Sequence, residues 1–168
     1  MNKLEKIINE LEDIVHQLKE DTKVDFRPET IWFQGFEYKT VQSATGRIWL
    51  DRNLGASRVA QHSTDSLSYG GYYNHDEIQC PAGFRLPTEE EWKAEIVAGN
   101  INISPLKLPR AGLRYYSDGS LGGVGSYGYY WSSTVYGSNV RLLYFNSNNT
   151  NLFSNCRSLG VSVRLIKD

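Results

Sequence analysis

Cysteine is almost missing from this chain: Cys80 and Cys156 are the two in 168 residues, too few and too far apart for a disulfide framework or a thiolate metal site. They read as a buried thiol and an exposed one, respectively. An excess of either charge is missing too. Eighteen Lys and Arg against nineteen Asp and Glu leave a formal charge of -1, without the basic footprint that nucleic acid or an anionic membrane requires. No apolar run of about 18 residues is present to span a bilayer. The first residues lack the uninterrupted apolar stretch followed by small residues that marks a secretory signal. Synthesis is therefore expected in the cytosol, with display outside the cell reached by another route, on a virion or at a surface. The three histidines, His16, His62 and His75, are scattered and none stands at metal-ligand spacing from another. His75-Asp76-Glu77 is the one cluster of proton carriers, and there is no phosphate cradle, nucleophile elbow or Cys/His pairing. The expectation is a protein without metal or cofactor, and not an enzyme.

The aromatic content of 12% and the 15 glycines point instead to a compact fold with many tight turns. The length allows one domain with a small appendage: a helix over residues 1–22 and a domain over 23–168. Leu4, Ile8, Leu11, Val15 and Leu18 alternate four and three apart, an a/d heptad seam, with Ile7 and Ile14 at g widening it. Asn2 and Glu5 are placed for a capping box. So short a helix is marginal alone. It must pack either on its own domain or on other copies as a homo-oligomer through residues 4–18.

After a polar linker, residues 31–33, 36–41 and 47–50 read as strands of a meander. Tyr69, Tyr72 and Tyr73 are expected to pack the loop of residues 57–71 onto the body. A helix over about 88–98 has the strongest local signals: Pro87 before it, Thr88 and Glu91 as a capping box, acidic residues in its first turn and Gly99 to close it. Trp92 and Ile96 should face the core. Residues 100–130, rich in Gly and Pro, read as a long surface loop of the kind that builds a site.

The most informative stretch is residues 131–168. Runs at 140–145, 150–153 and 161–166 alternate like strands and are divided by Asn/Ser clusters, which predicts an antiparallel sheet. In the first run Arg141, Leu143 and Phe145 share one parity and Leu142 and Tyr144 the other, so both faces carry large apolar groups. Either both are buried or one is kept for contact with a partner.

GRIWLDRNLGAS at 46–57, CPAGFRLPTEEEW at 80–92, LPRAGLRYYSDGSL at 108–121, YYWSST at 129–134 and GVSVRLIKD at 160–168 resemble paralogous bacterial and phage domains with a C-type lectin fold. Among those domains, the chain is most similar to the variable proteins of diversity-generating retroelements. The resemblance implies an α+β fold of small antiparallel sheets, the capped helix and long loops. It also implies a ligand- or receptor-binding protein whose variable region, about 131–168, is mutated at adenines of a template repeat. Mapped here, the variable ligand-binding positions are Tyr136, Ser138, Asn139, Arg141, Leu142, Tyr144, Asn146, Asn151, Phe153, Asn155, Cys156 and Leu159, with Leu143, Phe145 and Leu152 as fixed packing residues. Leu142, Tyr144 and Phe153 are expected to point outward. The partner implied is a protein or cell-surface ligand. Two alternatives remain. One is an enzyme related to the formylglycine-generating enzymes, which share the RLPTEEEW-like helix start but need a cysteine pair where this chain has Cys156 alone. The other is a calcium-independent carbohydrate-binding module, since the Glu-Pro-Asn, Gln-Pro-Asp and Trp-Asn-Asp signatures of animal C-type lectins are absent.

Overall fold

A computed structural model describes residues 2–21 and 25–168; the expected domain boundary at 22/23 and part of the linker lie outside the described residues. In chain order the elements are α1 (Lys3–Asp21), β1 (Thr30–Phe33), β2 (Phe36–Gln42), β3 (Ile48–Leu50), β4 (Phe84–Arg85) and α2 (Glu89–Ala98). They continue with β5 (Leu113–Arg114), β6 (Leu121–Gly122), β7 (Gly128–Tyr136), β8 (Asn139–Phe145), β9 (Thr150–Cys156) and β10 (Ile166–Lys167). The architecture is α+β with small antiparallel sheets: β1-β2-β3-β10-β4, β5-β6 and β7-β8-β9.

Both helices start as the capping rules require. Asn2 Oδ1 accepts from Glu5 N–H at 2.9 Å while Glu5 Oε2 accepts from Asn2 N–H at 2.7 Å. Thr88 and Glu91 exchange the same pair of bonds at 3.1 and 2.8 Å. Arg85 donates twice to Glu91 and holds its carboxyl down to about 2. Gly99, expected as the left-handed stop of α2, has φ 171° and is simply extended. Trp92 is buried and Ile96 half-buried in the core. The β1-β2 turn sets Gln34 and Gly35 at φ 49° and 83°, the double positive φ that two-residue hairpins need to match strand twist.

Two expectations are corrected. The third run, 161–166, does not join the C-terminal sheet. Residues 131–136 take that place as part of β7, and 160–162 makes only isolated bridges to Tyr73, Arg114 and Tyr130. The reason is burial on every side: Val161, Ser162, Val163, Arg164 and Leu165 all lie in the core. Their backbone groups bond to loops passing over them, for example Leu54 N–H to Val163 O at 2.9 Å and Leu50 N–H to Leu165 O at 3.0 Å. The second correction is that 100–130 is not structureless. It holds a short 3-10 turn at 101–103 and the β5-β6 hairpin, anchored where Gly112, at φ 72°, passes so close to Gly122 O that a Cβ would sit 2.3 Å from it.

The three-stranded sheet divides the core. On one face Tyr130, Leu143 and Phe145 pack with Trp49, Trp92 and Leu152. On the other, Trp131, Val140 and Leu142 pack with Leu159, Val161 and Val163. The doubly apolar β8 is thus a strand buried on both faces over most of its length. Arg164, fully buried, joins the layers. Its guanidinium donates to the carbonyls of Leu106 and Leu50 and to Asn53 Oδ1 (3.0 Å). Asn53 donates on to Tyr130 OH, which donates to Pro109 O at 2.8 Å. Among the described residues no carboxylate bonds to this cation, and burial lowers its pKa to about 10.

Candidate binding surface

Strand pairing decides which C-terminal side chains share a face. Tyr129, Tyr144 and Asn151 are directly opposite one another across β7, β8 and β9, and Trp131, Leu142 and Phe153 form the next row. Toward the Trp131 end this face is closed by the core. At the other end it opens, and Tyr127, Tyr129, Tyr144 and Phe153 form a half-exposed aromatic cluster. Ring centroids are 5.6 Å apart for Tyr127–Tyr144, 5.4 Å for Tyr129–Tyr144, 5.8 Å for Tyr144–Phe153 and 6.3 Å for Tyr129–Phe153. These are tilted and edge-on arrangements within the favourable range for aromatic pairs. Beneath them Phe145 packs against Gly128, where a Cβ would sit 2.3 Å from the ring. Exposed Tyr116 and Leu121 belong to the β5-β6 hairpin region.

Tyr127 and Tyr129 were not among the expected site residues. Their signal was present in the sequence as equal parity either side of Gly128, inside a stretch that read as loop. Burial, reinforced by the neighbouring Tyr144, Tyr127 and Tyr115 rings, raises the Tyr129 pKa to about 12. The folded state therefore keeps a proton that the unfolded chain, near 10, releases. Stability from this site is complete below pH 10 and lost as pH rises through 12. Urea midpoints should fall over that interval and fall less in Tyr129→Phe. An equal fall in the variant would assign the loss to the other buried tyrosines.

The remaining expected positions separate by pleat. Asn151, Phe153 and Asn155 lie on the Tyr144 face and Asn139 and Arg141 in rows on the α2 face, while Cys156, paired with Asn139 at the strand end, packs against the cluster of Leu142 and Leu159. Arg141 is committed to the α2 face: it donates to Glu89 Oε1 at 2.7 and 3.0 Å and to Leu152 O, with exposed Tyr136 over its guanidinium. Ser138 occupies the exposed β7-β8 turn. Asn146 shapes the β8-β9 turn, accepting from Asn148 and Asn149 N–H at 2.8 Å and donating to Tyr144 OH. Leu142 and Leu159 are buried, at 0% and 4% exposure, so neither presents surface to a ligand. The outward orientation expected of Leu142 is overturned because the segment 159–163 covers that end of the face. Leu143 and Phe145 are fully buried and Leu152 half-buried, as packing residues.

Residues 98–166 match a domain family of unknown function (DUF8237). The matched segment contains the aromatic cluster, the β5-β6 hairpin and all three strands of the site, but covers less than half of the chain. No curated protein and no solved structure matches.

Outside that face, His75 donates to Ser132 O at 3.1 Å and stands edge-on to Trp131, a packing arrangement. Asp76 beside it bonds Arg157. Cys80 and Cys156 are both half-buried, so Cys80 is less buried and Cys156 less exposed than their sequence contexts suggested. Among the described residues no group of three or more His, Cys, Asp or Glu is placed to hold a metal ion. No described helix is long and apolar enough to cross a membrane. A cavity of about 520 Å³ lies between residues 58–63 and 102–108, lined by none of the expected site residues.

Proposed function

We propose that the chain is a binding protein with a C-type lectin fold, displayed on a virion or cell surface, whose C-terminal face is diversified by retroelement mutagenesis to recognise a protein or cell-surface ligand. The observation that carries this reading is the half-exposed cluster of Tyr127, Tyr129, Tyr144 and Phe153 on a sheet whose opposite face is closed by α2 and the core. Contiguous aromatic surface at the open end of a sheet marks a contact site. Tyrosine rings supply contact area at low entropic cost, and Asn151 and Asn155 beside them supply adaptable hydrogen bonds. The backbone below is held by fully buried side chains, so Tyr144, Asn151 and Phe153 are exchangeable without refolding, which is what a diversified surface requires.

Sequencing the flanking gene region across a population that carries this gene tests the reading. The expected result is a reverse transcriptase gene, an adenine-rich template repeat matching the codons of 131–168, and substitutions concentrated at Tyr136, Ser138, Asn139, Arg141, Tyr144, Asn146, Asn151, Phe153, Asn155 and Cys156. Buried Leu142 and Leu159 should admit only apolar replacements. Substitutions spread evenly over residues 30–168, with no reverse transcriptase nearby, would overturn it.

A further inference from the structure

Exposed apolar side chains of the globular part, such as Trp32, Val97 and Ile103, are scattered over separate elements, whereas those of α1 form one continuous stripe. Leu4, Ile7, Ile8, Leu11, Ile14 and Val15 are 44–66% exposed along one side of that helix. At 100° per residue these six fall in an arc of about 120°, and no polar residue of α1 lies inside it. Leu18 continues the stripe. A helix of 19 residues is marginal by itself in water, so a face this apolar needs a cover.

We infer that the cover is two further copies of the same helix, in a parallel three-stranded bundle. Covering the whole stripe removes on the order of 600 Å² per chain from water, or about 1,800 Å² over three chains, within the range that specific association needs. A two-stranded seam covers a and d but leaves much of Ile7 and Ile14 at g exposed, on the order of 150 Å² per chain, because only the a/d stripe faces a single partner. Ile8 and Val15 at a with leucine at d favour two strands. The g isoleucines oppose that preference, and the apolar area they leave in water is the larger effect because the driving force scales with area.

Charge selects the parallel arrangement. In parallel helices g faces e of the neighbour, which sets Ile7 and Ile14 beside Glu12 and its surroundings without opposing like charges. In antiparallel helices overlapped along the stripe e faces e, setting Glu12 against its own copy. The polar side carries Glu5, Glu10, Glu12 and Asp13 against Lys3 and Lys6, the wrong sign for an anionic membrane surface as the cover. The inference does not depend on what the aromatic face binds. Its consequence for that face is that three copies would act together, which raises effective affinity without any new contact.

Light scattering on the full chain at about 10 µM tests this, since the population of an assembly depends on concentration. The expected mass is three times the 19.1 kDa of one chain. Full-length Leu11→Asp should fall to one chain with an unchanged near-ultraviolet circular dichroism spectrum, and the double variant Ile7→Gln, Ile14→Gln should fall below three chains. A wild-type mass of one chain or two overturns the inference. So does a three-chain mass retained in either variant, which would place the association elsewhere or remove the role of the g positions.

Discussion

Arg164→Ala is expected to lower the unfolding free energy by about 2–5 kcal/mol. The substitution deletes the guanidinium that donates to the buried Leu106 carbonyl, to the Leu50 carbonyl and to Asn53 Oδ1. A buried acceptor left without a partner costs roughly 1–3 kcal/mol, and the space vacated by the side chain adds a cavity cost. Asn53 also positions Tyr130 OH, so the loss should extend to β7 and to the neighbouring Tyr129. Arg164→Met separates the contributions, because it refills most of the volume and restores no hydrogen bond. If the methionine variant is as stable as the parent by urea denaturation, the hydrogen-bond argument is wrong and Arg164 acts only as a space-filling chain. An unchanged alanine variant would sink both.

Leu142→Ala should cost about 2–5 kcal/mol, in the range of buried leucine truncations, because Leu142 is fully buried between Trp131 and Phe153 in the register of β8. Asn151→Ala, one row away on the same face but exposed, should stay within about 0.5 kcal/mol. The pair tests where the face changes from core to surface. Equal costs would mean that the face is open to water at the Leu142 row as well, and that Leu159, Val161 and Val163 do not cover it. The same measurement bears on diversification. A position whose truncation removes a large share of a typical domain's stability of 5–15 kcal/mol tolerates apolar exchange alone, which separates Leu142 from Tyr144 although their parity is identical.

Local chemistry made several parts of the molecule readable in advance. The two capping boxes involve residues three apart, so their geometry is complete within one turn of helix, and both occur as expected. Gln34-Gly35 and the strands either side of it form a hairpin whose register is set by the turn itself. The heptad stripe of α1 is likewise a property of spacing, and the structure leaves it exposed in the single chain. Tyr72 and Tyr73 tie their loop to the body, through Ala111 O and Val161.

What the sequence determined by itself was therefore everything settled by neighbours within a few residues: helix starts, hairpin turns, the alternation along β8 and the α+β composition of the fold. Only the tertiary structure decided which alternating residues are covered. Parity assigns Leu142 and Tyr144 to one face, but whether that face meets core or water depends on the segment 159–163, which lies far along the chain and packs over one end of it. The same dependence removed 161–166 from the C-terminal sheet, because an extended segment buried on all sides bonds whatever backbone passes it. It also brought Tyr127 and Tyr129 to Tyr144 and Phe153, since strand pairing joins residues that no local spacing relates.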